Sequence, residues 1–218
     1  MTTPKVNTIS RGGARLYVHP ADGSKKVPGV TSVLNMLPKD FLKFWAAKSV
    51  AETAVDLLGE VVGIALRDRQ AAVDMLKRSP DRDVRQAAEA GTAVHDLFER
   101  LAKGENVGRV HPDLEPYVGI FRGFEEQFQP EFLFLEETVW SETYGYAGSF
   151  DWLAKVTDPQ TGERLTAMGD WKTTRSGVHE EVSLQITAYS NADYIVGEGG
   201  EKIDIPPIVV TLGTMTIF

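Results

Sequence analysis

Hydrophobic positions recur with helical spacing through the first half of the chain and with strand-like spacing through the second. The helical pattern predicts four helices, which cover about residues 38–58, 62–78, 81–103 and 112–129. Proline opens the first and the fourth helix, glycine follows the third, and Pro130 ends the fourth. The first 37 residues are rich in Gly, Pro and Ser, so we expect a poorly ordered start with short extended pieces.

Three aromatic residues, Phe41, Phe44 and Trp45, lie at helical spacing near the start of the first predicted helix. Such a set could stack on unpaired nucleic-acid bases. It could also be part of the hydrophobic core, which is the commoner fate of an apolar stripe on a helix. We therefore predict that these rings are buried.

After residue 130 the pattern changes to that of short strands. The predicted elements are strands at about 131–141, 146–157 and 163–172, a helix at about 178–196 and a last strand at about 206–212. The sequence therefore predicts an α/β protein with one domain, residues 1–218. This domain would contain an N-terminal helical part (1–110) and a core (111–218) with the element order αβββαβ.

Composition excludes several classes of site. The 218 residues include no cysteine, which rules out disulfides, cysteine–zinc sites, iron–sulfur clusters and a cysteine nucleophile. The formal charge of −8 argues against a broad basic face for nucleic acid, but it is compatible with an acidic metal centre beside local basic patches. No apolar run is long enough to span a membrane, and the first residues lack a signal-peptide pattern. We expect a cytoplasmic protein with no membrane partner.

Two acidic positions stand out in the predicted strands. Asp151 lies in the second strand, and Asp170 and Lys172 lie in the third, with a strong turn signal at 157–162 between them. Side chains alternate along a strand, so Asp170 and Lys172 share one face and Trp171 takes the other. A hairpin would bring Asp151 beside Asp170 and Lys172. Two carboxylates can bind a divalent cation, and a nearby ammonium can assist a water nucleophile or stabilise a phosphate.

The alternative is a solvated hairpin with surface acids and an ion pair. Aromatic neighbours favour the first interpretation, because Phe150 and Trp152 are predicted to share the face opposite Asp151. A strand packed on a core does not carry Asp and Lys on its other face without a partner or a use.

Four motifs follow one another in the chain. They are Gly-Thr-Ala-Val-His at 91–95, Gly-Ser-Phe-Asp at 148–151, Gly-Asp-Trp-Lys-Thr-Thr at 169–174 and Gln-Ile-Thr-Ala-Tyr at 185–189. In order and spacing they resemble the motifs of the PD-(D/E)XK nucleases, and in particular the RecB-like branch that includes many phage exonucleases. The resemblance covers about residues 28–196. Asp170 stands where many members carry Glu, and the family tolerates either residue.

The resemblance implies a restriction-endonuclease-like core, in which helices flank a central mixed sheet. It also implies a Mg²⁺ or Mn²⁺ site with His95, Asp151, Asp170 and the carbonyl of Trp171 as ligands. The implied catalytic residues are Asp151, Asp170, Lys172, Gln185 and Tyr189. Gln185 and Tyr189 share a helix face and would orient Lys172 or contact a phosphate; a capping glutamine and a half-buried tyrosine are the alternative. The alternative for His95 is a packed structural histidine.

Two further residues are candidate substrate contacts. In relatives an acid on the first core strand lines the active centre, and strand alternation lets either Glu136 or Glu137 face it; we favour Glu136. The alternative is a charge on an edge strand. Arg175 follows the catalytic strand and could bind a phosphate, although a surface arginine is the ordinary alternative.

The sequence therefore predicts a metal-dependent deoxyribonuclease, most consistent with an exonuclease of phage or bacterial recombination or repair. The alternatives are a structure-selective endonuclease with the same motifs and a non-catalytic nucleic-acid-binding protein. DNA is the expected partner, with a single-strand-binding or recombination protein as a second one, in the host cytoplasm if the chain is phage-encoded. Oligomeric state, digestion polarity and strand preference are left open. No Walker A loop is present, so the chain is not the helicase motor that is fused to some relatives.

Overall fold

The protein is a mixed α/β structure, described here by a computed structural model over residues 4–173 and 180–212. Arg175 lies outside the described residues. The chain divides into two compact units, a larger one (Met1–Met36 with Gly91–Phe218) and a smaller one (Leu37–Ala90). The predicted single domain, with a helical part at 1–110 and a core at 111–218, stays a prediction.

The described residues form seven α-helices. These are α1 (Val30–Leu34), α2 (Phe41–Asp56), α3 (Leu58–Ala65), α4 (Arg69–Lys77), α5 (Ser79–Ala102), α6 (Glu115–Phe128) and α7 (Glu180–Ser190). The helix predicted at 62–78 is wrong as a single element, because Asp68 starts a new helix. The side chain of Asp68 accepts hydrogen bonds from the backbone N–H groups of Gln70 and Ala71, as an N-cap does.

The predicted burial of the α2 aromatic residues is wrong. Phe41 is 55% exposed, Phe44 78% and Trp45 38%. The buried positions of α2 are instead Ser49 and Thr53, and the hydroxyl of Ser49 donates a hydrogen bond to Asp83 within the same unit. The inner face of α2 is thus polar, and its apolar stripe lies outside. The alternative role of these rings, stacking on bases, stays a prediction.

The N-terminal residues form a small sheet, which corrects the expected poorly ordered start. Its three antiparallel strands, in the order β1-β2-β3, are β1 (Thr8–Arg11), β2 (Ala14–His19) and β3 (Asp22–Pro28). Tyr17 and Val27 on these strands are buried in one cluster with Trp140 and Ala147 of the main sheet. Burial of these side chains against the main sheet supplies the free energy that orders the segment.

Among the described residues, the main sheet has six strands in the order β8-β7-β4-β5-β6-β9. They are β4 (Glu131–Ser141), β5 (Tyr146–Thr157), β6 (Arg164–Gly169), β7 (Tyr194–Val196), β8 (Lys202–Ile203) and β9 (Val210–Leu212). β6 and β9 pair in parallel and the other neighbours are antiparallel, so the sheet is mixed.

The predicted bounds of β4 and β5 are confirmed, and the other predicted bounds need correction. β6 ends at Gly169, before the acid and the lysine of its motif. The predicted helix at 178–196 is too long, because its last three residues form β7. The residues of β7 are all buried and pair with Thr138–Trp140 of β4. Hydrogen bonds to this central strand therefore replace the last turn of the predicted helix.

Hydrophobic clusters cover both faces of the main sheet. The first cluster packs α5 and α6 on the sheet through residues that include Phe98, Phe121 and Trp152. The second packs α1 and α7 on it through residues that include Val30, Ile186 and Phe150. Within the described part of the chain, no helix combines the length and apolarity needed to cross a membrane.

Candidate metal centre

Asp151 occupies the middle of β5 and is 3% exposed. Its Oδ2 accepts a hydrogen bond from the backbone N–H of Trp171, so the carboxylate ties β5 to the chain that follows β6. Its Oδ1 lies 3.3 Å from Nδ1 of His95 on α5. Asp151 therefore connects β5 with Trp171 of the third motif and with His95 of α5.

The histidine motif lies close to the chain that follows β6. A Cβ at Gly91, one turn before His95, would lie 3.3 Å from the hydroxyl oxygen of Thr173. Contacts this short are crowded, so the absence of a side chain at Gly91 lets α5 approach the residues just after Lys172. His95 is 14% exposed, and its ring faces the buried carboxylate.

Glu136 completes a group of three possible ligands with His95 and Asp151. One ligand atom from each residue lies within 4.8 Å of those of the other two. The register explains the approach. Leu135 pairs with Trp152 and Glu137 pairs with Phe150, which puts Glu136 and Asp151 side by side on antiparallel strands. These three side chains could hold a divalent cation between β4, β5 and α5.

The backbone at Glu136 is unusual. Its φ is 56°, in the left-handed region, which costs a residue with a side chain on the order of 1 kcal/mol or more. Glu136 is 4% exposed, whereas Glu137 binds the ammonium of Lys5 at 2.5 Å. The strained backbone thus accompanies the inward placement of Glu136, and Glu137 belongs to a different ion pair.

Asp170 and Lys172 follow β6 directly. The Lys172 ammonium contacts Oδ2 of Asp170, and the intervening Trp171 is buried against Phe98 and Phe124 in the first hydrophobic cluster. The two charged residues are therefore together and the indole is in the core, as strand alternation predicts, although the strand itself has ended. The backbone N–H of Trp171 donates a hydrogen bond to Asp151. The predicted role of the Trp171 carbonyl as a metal ligand stays a prediction.

Gln185 and Tyr189 of α7 form a layer behind Asp170. Nε2 of Gln185 donates to Oδ1 of Asp170 and to the hydroxyl oxygen of Tyr189, both at 2.9 Å. Burial raises the pKa of the Tyr189 phenol well above its usual value, so the ring stays neutral. In this arrangement the pair positions Asp170, whereas the sequence predicted that it would orient Lys172 or contact a phosphate.

Gly148 of the second motif leaves room for this layer. A Cβ at Gly148 would overlap the ring of Tyr189, which lies directly on the strand. The motif therefore combines a candidate ligand, Asp151, with a backbone position that admits Tyr189, whose hydroxyl oxygen accepts from the same Gln185 that contacts Asp170.

Electrostatics at the site favour a cation. Glu136, Asp151 and Asp170 are 4%, 3% and 5% exposed. Lys172 contacts one of these three carboxylates, Asp170. Acidic groups that lie close together away from water form a suitable environment for a divalent cation. Burial, followed by the neighbouring Asp151 charge, raises the pKa of Asp170 to about 6, against the opposing effect of Lys172.

This raised pKa predicts how stability changes with pH in metal-free protein. The folded protein keeps a proton on Asp170 that the unfolded chain releases near its ordinary pKa of 3.8. The contribution of Asp170 to stability is therefore full below about pH 4 and is lost as the pH rises to about 6, by on the order of 2–3 kcal/mol. Asp170→Asn should lack this loss.

The measurement is denaturant unfolding of wild type and Asp170→Asn in EDTA between pH 4 and 7. The difference in unfolding free energy should move in favour of the variant as the pH rises. A difference that does not change with pH would show that Asp170 titrates normally.

The structure brings together most of the residues that the sequence predicted. His95, Asp151, Asp170 and Lys172 converge, with Gln185 and Tyr189 behind them. One expectation is wrong: Phe150 belongs to the second hydrophobic cluster and Trp152 to the first, so they do not share a face. The departure occurs where Asp151 faces the irregular backbone of Glu136.

The sequence predicted Glu136 as a residue that lines the site and contacts substrate. It did not predict Glu136 as a possible metal ligand. The position of the β4–β5 turn could have indicated in advance that Glu136 lies beside Asp151. This turn pairs Ser141 with Tyr146, and counting back along both strands from that pair brings Glu136 opposite Asp151.

Two comparisons with known proteins give no further assignment. The sequence matches no protein-family model, and it matches no curated protein.

Proposed function

We propose that this chain is a metal-dependent deoxyribonuclease with a PD-(D/E)XK core of the RecB-like kind. The observation that carries the proposal is the convergence of His95, Glu136 and Asp151 within 4.8 Å, beside the Asp170–Lys172 pair. These side chains come from a helix and three successive strand regions of a mixed sheet. Helices pack on both faces of that sheet, which is the architecture that the motifs imply.

The donor set fits Mg²⁺ or Mn²⁺. Glu136 and Asp151 offer hard oxygen ligands, and Asp170 can add a third oxygen if it exchanges its contact with Lys172. The imidazole of His95 suits Mn²⁺ at least as well as Mg²⁺. A bound ion would lower the pKa of a coordinated water and stabilise negative charge on the phosphate.

The protein residues have separate parts in phosphodiester hydrolysis. Water adds to phosphorus, the bond from phosphorus to the departing sugar oxygen breaks, and that oxygen takes a proton. Lys172 would position the water or stabilise the charge that develops on the phosphate. Gln185 and Tyr189 keep Asp170 in place, and Asp151 keeps the third motif against β5.

The first experiment is incubation of purified protein with end-labelled linear DNA in Mg²⁺, Mn²⁺ or EDTA. Release of labelled products with either metal and none in EDTA is the expected result. A protein that binds DNA but never cleaves it would instead be the non-catalytic alternative. Cleavage that persists in EDTA would contradict the metal centre.

The second experiment asks whether cleavage needs a DNA end. The resemblance favours an exonuclease. The net charge of −8 disfavours an extended binding interface with many phosphate contacts along duplex DNA. Linear plasmid should be degraded to short products, while covalently closed circular plasmid should survive in the same Mg²⁺ buffer. Rapid linearisation of the closed circle would assign the chain to the endonuclease alternative.

A further inference from the structure

A pocket of about 160 Å³ lies between α1 and α7, next to the candidate metal centre. Its lining consists of Thr31, Leu34, Asn35, Lys172, Glu181, Val182 and Gln185. Lys172 and Gln185 both contact Asp170, so the pocket and the proposed reaction site share two side chains. A ligand in this pocket would therefore lie immediately beside the phosphate that is cleaved in the proposed reaction.

The chemistry of the lining argues against a phosphate. Most of the lining surface is apolar, with Leu34 on one side and Val182 on the other. The ammonium of Lys172 is engaged with Asp170, and Glu181 would repel an anion. A mainly apolar slot with a few polar groups suits a flat heterocycle that has hydrogen-bonding edges.

The position of the walls limits the occupant further. Leu34 of α1 and Val182 of α7 line the pocket from two different helices, so a flat group between them would be covered on both faces. A base that is paired and stacked in a duplex cannot be covered in this way. A base can reach it only when it is unpaired, as with enzymes that take a nucleotide out of the duplex before reaction.

We infer that this pocket receives the base of a nucleotide next to the scissile phosphate, so that the enzyme cleaves at unpaired nucleotides. The inference rests on the proposed nuclease function and specifies its substrate. Leu34 and Val182 would contact the faces of the base, and Thr31 and Asn35 supply polar groups to the same lining. Affinity would come from stacking and burial and would tolerate any base.

The test uses single-stranded oligonucleotides in which one nucleotide is replaced by an abasic tetrahydrofuran residue at successive positions. Wild-type protein should cleave the bond beside the abasic residue about tenfold more slowly than the same bond in an intact strand, as expected when one stacked base is lost. Val182→Phe, which fills the pocket, should slow cleavage of the intact strand and bring the two rates close together. Leu34→Phe should do the same from the opposite wall.

Leu184→Phe is the matched control, because Leu184 lies on the same helix, is 50% exposed and does not line the pocket. It should keep the wild-type preference for the intact strand. Thermal melts of all three variants show whether each is folded, and the two walls give independent tests if one variant does not fold.

The outcomes separate the two proposals. Equal cleavage of abasic and intact strands by wild type, or an unchanged preference in folded pocket variants, would overturn the pocket and leave the nuclease in place. A response to the presence of a 5′-phosphate but not to loss of a base would assign the pocket to phosphate and also overturn the inference. Absence of any metal-dependent cleavage by wild type would overturn the proposed function and the pocket with it.

Discussion

Asp151→Asn is expected to reduce DNA cleavage by about a thousandfold or more and to weaken Mn²⁺ binding. The substitution removes one charged ligand from the group formed with His95 and Glu136, and a bound cation contributes several kcal/mol to such reactions. The asparagine is nearly the same size. Its oxygen can still accept the N–H of Trp171, so the fold should persist. Cleavage assays and calorimetric Mn²⁺ titration measure the two effects.

Glu137→Gln is the control for this variant. Glu137 is an acid next to Glu136 on the same strand, but it is paired with Lys5 and does not belong to the metal group. Its replacement should leave both cleavage and Mn²⁺ affinity close to wild type. Full activity in Asp151→Asn would show that the three-residue group is not the catalytic metal site.

Lys172→Ala is expected to slow turnover by about 10²–10⁴-fold while Mn²⁺ affinity stays within a few-fold of wild type. An ammonium has no lone pair and cannot bind a cation, so its loss removes no ligand. The contact that it makes with Oδ2 of Asp170 would also disappear, which leaves that carboxylate more available to a metal. Lys172→Ala should therefore lower the turnover rate without lowering Mn²⁺ affinity, whereas Asp151→Asn should lower both.

The matched control is Lys155→Ala, which removes an exposed lysine from β5 outside the site. It should retain wild-type cleavage and Mn²⁺ affinity. If Lys172→Ala loses its metal site while keeping a normal melting temperature, Lys172 organises the ligands and does not act on the reacting groups.

Local signals were sufficient for the hairpins of the main sheet. Pro130 precedes β4, a short polar turn separates β4 from β5, and a stretch rich in Asp, Pro and Gly separates β5 from β6. Turn residues of this kind act over a few positions, so the strand bounds can be read from them. The long helix α5 has the same basis, since its apolar positions repeat regularly and Gly104 follows its end.

Other elements depended on distant contacts. The run Tyr194–Val196 has no local feature that separates it from α7, and its pairing with β4 makes it a strand. The aromatic residues of α2 fit a buried stripe equally well by spacing alone. In the structure the inward side of that helix is polar, and Ser49 on it donates a hydrogen bond to Asp83.

The sequence by itself determined which ionisable groups are present, that a hairpin brings Asp151 near Asp170 and Lys172, and that His95 precedes them on a helix. These are consequences of local periodicity and turn chemistry. The tertiary structure decided that Glu136 joins His95 and Asp151, and that Gln185 holds Asp170. It also decided that burial raises the pKa of Asp170 to about 6. Those properties depend on distances between segments far apart in the chain and on the exclusion of water around them, which hydrophobic patterning along a single segment does not encode.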